Sequence, residues 1–266
     1  MRVRRFLQTP KGTLLVVLVP LAALAAAGAG VARVAPGLAA AMLSAGIIDG
    51  AVLRWKKRRW VFPDGALLTG LIVAMVLSPH EPWWVAAVTA VIGIVAKYLA
   101  RIGTANVFNP AALGLVASYF LFSTGQSWWG ALPELPPFAI TALVAAGVFT
   151  VIRDNKVPVT LAFLLPYYML FTAMAFIGDP GRVAGLFRAP DVHAALYFAF
   201  FMVTDPPTSP PGQRDQVIYG VIVAVVSYAV FVTVGAVYFL LAGLLVANLW
   251  EARRRVTARK ARRALA

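Results

Sequence analysis

Ten runs of apolar residues, each interrupted by proline, glycine or charge, follow one another along this chain with little polar sequence between them. They span residues 13–32, 37–53, 66–77, 83–100, 110–122, 138–152, 157–177, 192–203, 216–234 and 236–250. A membrane-spanning helix needs roughly 20 residues at a rise of 1.5 Å each. The stretch from residue 216 to 250 is therefore too long for one span, and we expect it to turn near Gly235. The pattern predicts an all-α, polytopic membrane protein of about ten transmembrane helices.

Composition agrees with a protein that folds in a bilayer. The chain is 61% hydrophobic and 13% charged, with a mean hydropathy of +0.81, which is far from the soluble globular range. Its net charge of +14 comes from short clusters at the ends of apolar runs, so we do not expect it to bind nucleic acid. It has no cysteine, and its two histidines lie far apart in sequence. We therefore predict no metal site.

The distribution of lysine and arginine predicts the orientation, because basic loops are retained in the cytoplasm. With ten spans and a cytoplasmic N-terminus, only Arg33, Arg182 and Arg188 of the 24 basic residues fall on the outer side. Trp83, Trp84, Trp128 and Trp129 then fall at the outer interface, and Trp55, Trp60 and Trp250 at the inner one. The pattern predicts a multi-pass protein of the bacterial inner membrane with both ends in the cytoplasm.

The chain is expected to be one membrane domain, divided into a first half (residues 1–136), a second half (137–250) and a basic cytoplasmic tail (251–266). The third and eighth runs are short and stopped by proline, at Pro79 and Pro206. They occupy equivalent places if five spans form each half, and five spans force the second half to be inverted. Short, proline-interrupted segments at matching positions are typical of inverted repeats with a midplane site. The simpler alternative is that proline ends two helices at the interface.

Two polar stretches are candidate binding sites. Asn106, Phe108, Asn109 and Pro110 begin the fifth span, where free N–H groups and the positive end of the helix dipole suit an electron-rich ligand. The alternative is an asparagine cap followed by proline. Thr204, Asp205, Thr208 and Ser209 follow the eighth span. They could bind a cation or the polar edge of a flavin, or they could cap the ninth span.

These stretches, together with the segment D-G-A-L-L-T-G-L at residues 64–71 and P-W-W at 82–84, resemble the NqrB/RnfD family. Its members are membrane subunits of the sodium-pumping NADH:quinone reductase and of the Rnf electron-transport complex. The resemblance runs from about Asp64 to Gly220 and implies two inverted five-helix halves, bound flavin and partner subunits. Thr69 and Gly70 join the candidate site by this resemblance.

One departure from the family concerns the flavin attachment. Well-known members attach FMN to a threonine in an S-G-A-T type motif between the fifth and sixth spans, and that motif is absent from this sequence. We therefore expect FMN or riboflavin to be bound non-covalently, with Thr124 as the alternative covalent acceptor.

Two functions follow from the sequence. In the first, the chain is a membrane subunit of an ion-translocating electron transport complex, not catalytic alone, that works with other subunits and the membrane lipid. In the second, the same scaffold is a channel or transporter for a small nutrient without redox activity.

Overall fold

A computed structural model describes residues 9–58, 60–103 and 105–264, and these residues are mostly helical. Arg2, Arg4, Arg5, Arg59 and Thr104 lie outside the described residues. The α-helices are α1 (Pro10–Ala29), α2 (Val31–Lys57), α3 (Asp64–Val76), α4 (Trp83–Leu99), α5 (Pro110–Phe122), α6 (Ile140–Arg153), α7 (Val157–Ile177), α8 (Pro180–Val183), α9 (Asp191–Tyr197), α10 (Gln213–Thr233) and α11 (Phe239–Ala264). The prediction of an all-α protein is confirmed.

Smaller elements connect these helices. Short 3₁₀-helices lie at Trp129–Ala131, Pro137–Ala139 and Ala184–Phe187, and α9 continues into a π-helix at Phe198–Met202. Two strands, β1 (Arg101–Ile102) and β2 (Ala105–Asn106), pair antiparallel between α4 and α5. The hairpin falls between the fourth and fifth predicted runs, and the π-helix falls within the eighth, residues 192–203.

Each predicted apolar run coincides with a helix. Four helices, α1, α2, α7 and α10, are long and apolar enough to cross a membrane, and five shorter apolar helices accompany them among the described residues. The predicted turn near Gly235 is confirmed, since this glycine adopts φ = 68° between α10 and α11. Helix length and composition do not give the number of membrane crossings, so the count of ten transmembrane helices stays a prediction.

The connection between the first two helices differs from the expected loop around residues 33–36. A single residue, Gly30 with φ = 90°, separates α1 from α2. Arg33 and Pro36, which broke the apolar pattern, lie inside α2 near its start. The Arg33 side chain is exposed, so a charge there does not oppose the helix.

Trp128 and Trp129, which we predict to lie at the outer membrane interface, are buried within the protein. Trp129 is 3% exposed and donates from Nε1 to the carbonyl oxygen of Ala74 at 2.6 Å. Trp128 is 7% exposed and packs its ring edge-on against Tyr197. An indole can be buried when its N–H finds an acceptor. Trp83 and Trp84, by contrast, are exposed.

Helix packing is closest where glycine allows backbones to meet. In the first half, α2 packs on α3 and α4, and α4 packs on α5; in the second, α7 packs on α10, and α10 packs on α11. A Cβ at Gly114 would lie 2.5 Å from the Thr89 carbonyl oxygen, and one at Gly93 would collide with Pro110. Small residues at helix interfaces are typical of membrane proteins.

Candidate functional site

The starts of three helices meet the ends of three others around one cleft. Its lining comes from the N-terminal parts of α1, α3 and α5, from β2, from the last turns of α4 and α6, and from the end of the π-helix with the segment that follows it. The cleft therefore lies between residues of the first and second halves. Its apolar lining includes Leu68, Ile72, Ala111 and Phe201.

Six of the predicted site residues line this cleft: Thr69, Asn106, Asn109, Pro110, Thr204 and Asp205. The other four lie nearby with different surroundings. A Cβ on Gly70 would lie 2.6 Å from the Ala41 carbonyl oxygen, so this glycine allows α3 to pack on α2. Thr208 and Ser209 are each 1% exposed, and Phe108 is partly exposed outside the cleft lining.

Asn109 is both a helix cap and part of the cleft. Its side chain accepts from the Ala112 N–H at 3.1 Å, and Pro110 follows at the first helical position. This is the capping arrangement that was the alternative interpretation of the sequence. Its own N–H donates to Oδ1 of Asn248 at 2.8 Å, and Asn248 Nδ2 donates to the Tyr219 hydroxyl. Asn248, 0% exposed in α11, was not predicted.

The segment after the π-helix, residues 204–211, is called here the aspartate loop. The Thr208 hydroxyl donates to Oδ2 of Asp205 at 2.7 Å, and the Ser209 hydroxyl donates to the Asp205 carbonyl oxygen at 2.8 Å. The following helix α10 is preceded by Gly212 and has no side-chain cap. The predicted alternative, in which these residues cap that helix, is therefore wrong: the loop closes on itself instead.

Two basic residues outside the predicted site hold the aspartate loop by its backbone. Arg255 of α11 donates from Nη1 to the Pro207 carbonyl oxygen at 2.7 Å and from Nη2 to that of Ser209 at 3.2 Å. Its Nε donates to Glu251 at 2.7 Å, and this glutamate is 0% exposed. The start of the predicted basic tail, residues 251–266, thus continues α11 and contacts the aspartate loop.

Lys156 holds the same loop from the opposite side. Its Nζ donates to the Ser209 hydroxyl and to the Pro210 carbonyl oxygen, both at 2.8 Å, and the residue is 5% exposed. Burial lowers the pKa of Lys156 to about 8, while the charge of Asp205 opposes this shift. The sequence offered one signal, a lysine directly before an apolar run, but this is also the pattern of an ordinary cytoplasmic flank.

The two sides of the cleft carry opposite charge. On the first-half side are Lys11, Lys97 and the N-terminal ends of α1, α3 and α5; on the second-half side are Asp154 and Asp205. A helix N-terminus has a partial positive charge because its first N–H groups lack intrahelical partners. Burial raises the pKa of Asp205, and the Thr208 hydrogen bond opposes this shift. Both lysines already have acidic neighbours, since Lys97 is paired with Asp49 at 2.6 Å and Lys11 lies 3.7 Å from Asp64.

Thr124, the alternative covalent acceptor, is away from this cleft. It is 1% exposed, and its hydroxyl lies 3.2 Å from that of Ser118. A buried, hydrogen-bonded hydroxyl is a poor attachment point for a bulky group in this conformation.

Sequence comparisons place the chain among known proteins. The family model described as "NQR2, RnfD, RnfE family" matches residues 2–135. The RnfD subunit of the ion-translocating oxidoreductase complex of Pseudomonas aeruginosa is 29% identical over 252 residues, covering 73% of each chain. The subunit of the same name from Yersinia enterocolitica is 37% identical over 103 residues, covering 37% of this chain and 29% of its own. That from Klebsiella pneumoniae is 34% identical over 110 residues, covering 40% and 30%. Because the family model matches half of the sequence, the chain belongs to the NQR2, RnfD, RnfE family.

Proposed function

We propose that this chain is the membrane subunit of an ion-translocating electron transport complex and binds FMN or riboflavin non-covalently in the cleft. The observation that carries the proposal is the cleft itself, which brings Asn109 and Asp205 from two distant motifs to one place. Relatives named as a subunit of an ion-translocating oxidoreductase complex support it.

The architecture proposed is two inverted five-helix halves, in which α5 and α11 are equivalent. Their contacts support inversion, because the two helices run antiparallel. Asn109 at the start of α5 bonds to Asn248 in the third turn of α11, and Tyr119 near the end of α5 packs on Tyr238 at the start of α11.

A residue-level match supports the same repeat. Gly114 is the fifth residue of α5, and Gly243 is the fifth residue of α11. A Cβ at Gly114 would lie 2.5 Å from the carbonyl oxygen of Thr89 in α4, and one at Gly243 would lie 2.5 Å from that of Val223 in α10. The fifth and last helices of the chain thus approach their predecessors in the same way.

The first and sixth spans, α1 and α6, complete the comparison. Lys11 at the start of α1 shares the cleft with Asp154 at the end of α6. A Cβ at Gly28, near the other end of α1, would lie 2.9 Å from Leu135, just before α6. This pair is antiparallel too, as an inverted repeat requires.

The residue types that line the cleft suit a flavin. The cleft has a volume of about 80 Å³, below the roughly 300–1,000 Å³ of ligand pockets, so the proposal includes a separation of the two halves that admits the ring. Leu68, Ile72 and Phe201 offer apolar surface for a ring system, while Asn106 and Asn109 offer amide groups to its polar edge. Bound flavin would supply reversible electron transfer, which the side chains of this chain do not. The role of these residues is to bind and orient the ring and to limit the access of water.

Ion coupling is proposed to use the opposite charges of the cleft. Negative charge arriving near Lys97 and the helix N-termini lowers the local potential, and Asp205 on the facing side then attracts a cation more strongly. The electrons would be delivered and removed by partner subunits of the complex in the membrane lipid.

The membrane topology proposed is ten spans in the bacterial inner membrane with both ends cytoplasmic. The cysteine-free sequence allows single cysteines to be placed and labelled by a membrane-impermeant reagent. Labelling of intact cells at the exposed positions Glu134→Cys and Gly181→Cys, with none at Lys57→Cys or Lys260→Cys, is expected. The reverse pattern would contradict the orientation.

The function is tested by the absorbance of the purified protein near roughly 450 nm, where the flavin ring absorbs. Flavin released by acid supports non-covalent binding, whereas flavin retained on the precipitate indicates a covalent acceptor such as Thr124. Folded protein that is expressed with its partner subunits and contains no flavin would favour the second candidate, a nutrient channel or transporter. The polar residues that follow the π-helix also suit a transport site.

A further inference from the structure

A second cavity, away from the cleft, lies between α7, α9 and the turn that joins α10 to α11. It shares no lining residue with the cleft. Its volume is about 240 Å³, slightly below the roughly 300–1,000 Å³ of pockets for drug-sized ligands, so it has room for a group of a few heavy atoms. We call it the outer cavity, because the proposed topology places the turn at Gly235 on the outer side of the membrane.

Gln126 brings an unpaired amide to the outer cavity. Its side-chain oxygen and nitrogen are both buried, and neither has a hydrogen-bond partner among the described residues. Its backbone is held beside the end of α3 by a bridge to Leu77. Buried polar atoms without partners destabilise a protein and are uncommon in native structures. An amide with both of its polar atoms unpaired therefore indicates a ligand.

The charge of the outer cavity comes from Asp191, in the first turn of α9. Among the described residues that line the cavity, this aspartate alone is charged. No hydrogen bond or ion pair to its carboxylate is formed within the part of the chain that the structure describes. A carboxylate in largely apolar surroundings is unfavourable unless it is paired. The cavity therefore favours a cation.

Four aromatic side chains also line the outer cavity: Trp128, Tyr167, Phe231 and Phe239. The rings of Phe231 and Phe239 pack together with their centroids 5.2 Å apart. The face of an aromatic ring attracts an ammonium group within about 6 Å of its centroid. Aromatic walls beside one carboxylate suit an organic ammonium group better than a hydrated metal ion.

Positive charge lies at the mouth of the outer cavity instead. Nη2 of Arg182 would lie 3.9 Å from a Cβ on Gly235, which lines the cavity. The guanidinium lies over the Phe231 ring, and Nη2 donates to the carbonyl oxygens of Phe231 and Val232 at 3.1 and 2.7 Å. A guanidinium has five N–H donors, so Arg182 keeps donors for an anion. A zwitterion that enters with its cationic end first matches both charges.

The surface around the mouth is apolar. Val237 lines the cavity and is 49% exposed, and Val234 beside it is 63% exposed. In a membrane protein such side chains face acyl chains rather than water. A ligand that reaches the outer cavity from this surface is therefore a lipid rather than a soluble amine.

We propose that the outer cavity binds the ammonium headgroup of a membrane phospholipid, with the lipid phosphate at Arg182. Phosphatidylethanolamine carries this combination of charges. The three N–H donors of its ammonium group can pair with the Asp191 carboxylate and with the amide oxygen of Gln126. The proposal is independent of flavin binding in the cleft.

The test is thermal unfolding of the full chain, purified with its partner subunits in detergent, depleted of lipid and supplied with one of three phospholipids with the same acyl chains. Phosphatidylethanolamine has a primary ammonium, phosphatidylcholine a trimethylammonium without N–H donors, and phosphatidylglycerol no ammonium. A ligand that binds only the folded state raises the Tm. We expect the Tm to rise most with phosphatidylethanolamine and least with phosphatidylglycerol. Native mass spectrometry should show a severalfold preference in the same order.

Two variants assign the preference to the outer cavity. Gln126→Leu removes the unpaired amide, so it should raise the Tm of the lipid-depleted protein and abolish the additional rise with phosphatidylethanolamine. Asp191→Asn should reduce the preference for phosphatidylethanolamine severalfold without lowering the Tm of the lipid-depleted protein. Glu134→Gln is the matched control, because this exposed carboxylate does not line the cavity; it should keep the full preference.

Equal Tm shifts with phosphatidylethanolamine and phosphatidylglycerol would overturn the proposal, as would a preference that survives in both variants. A zero-length carbodiimide cross-link to a lysine of a partner subunit that is lost in Asp191→Asn would also overturn it, because that lysine would then occupy the cavity. None of these measurements depends on flavin content, so failure of the proposed function would leave this test unaffected.

Discussion

Arg255 donates to the carbonyl oxygen of Pro207 at 2.7 Å, across 48 residues of sequence, and so attaches the last helix of the chain to the aspartate loop. The guanidinium is aligned by Glu251, which also accepts from Arg254 at 2.7 Å. The loop that carries Asp205 is thus positioned by a helix outside the predicted site.

Replacing Arg255 by glutamine should loosen the aspartate loop. The loss of two hydrogen bonds from a charged donor costs about 1.5–3 kcal/mol each at most. We expect a lower Tm and flavin affinity reduced by about tenfold, while the exposed Arg253→Gln variant stays like the wild type. Unchanged flavin binding in folded Arg255→Gln protein would show that the Arg255 contacts do not position the binding site.

Asn248→Leu removes the acceptor of the Asn109 N–H. A buried N–H without a partner costs about 1–3 kcal/mol, so thermal stability and flavin binding should both decrease. Tyr219→Phe removes only the other contact of Asn248 and should have the smaller effect. If the two substitutions have equal effects, Asn248 contributes mainly through its hydrogen bond to Tyr219.

Gly114→Ala and Gly243→Ala should destabilise the protein to similar extents, because each new Cβ would lie 2.5 Å from a backbone oxygen. Gly50→Ala is the control, since no atom other than its chain neighbours and its own helix backbone lies within 4 Å of its Cβ position. That substitution should be neutral or stabilise by about 0.4–1 kcal/mol. Thermal unfolding in one detergent measures the stability of all three variants. If only one of Gly114 and Gly243 tolerates alanine, the evidence for an internal repeat is weaker.

Lys156 should make stability depend on pH. Its pKa is about 8 in the folded protein, against 10.5 for a free lysine. Between these values the unfolded chain binds a proton that the folded protein has released, so stability rises with pH from about 8 to about 10.5. The charges acting on Lys156 come from Asp205, Arg255, Asp154 and Glu251. The Tm of the wild type should therefore rise relative to that of Lys156→Met as the pH increases over this range. A Tm difference that does not change with pH would contradict the lowered pKa of Lys156.

Most of the helices could be predicted from hydropathy, because a bilayer requires long apolar runs with internally paired backbones. The α7 bounds agree with the predicted run at both ends. Asn109 and Asp205 were found because polar residues beside proline are conspicuous in apolar sequence, whereas Thr69 was named through the resemblance to the family. The roles of these residues in binding stay predictions.

The supporting residues could not be predicted in the same way. Lys156 and Arg255 belong to basic clusters that any cytoplasmic flank would carry, and Asn248 is a single amide within an apolar run. Their function in the fold depends on partners that are 53, 48 and 139 residues away in sequence. No local pattern specifies such partners. The π-helix is likewise set by packing, around the buried Phe198 and Phe201.

The glycine contacts also determine which parts of the molecule can move during a working cycle. Where Gly114 meets α4 and Gly243 meets α10, backbone lies directly against backbone, and interfaces packed so closely deform little. The pairs α4–α5 and α10–α11 should therefore move as rigid bodies. Any opening of the cleft to one side of the membrane must occur between them, by sliding along the α5–α11 and α1–α6 seams and by bending of the aspartate loop.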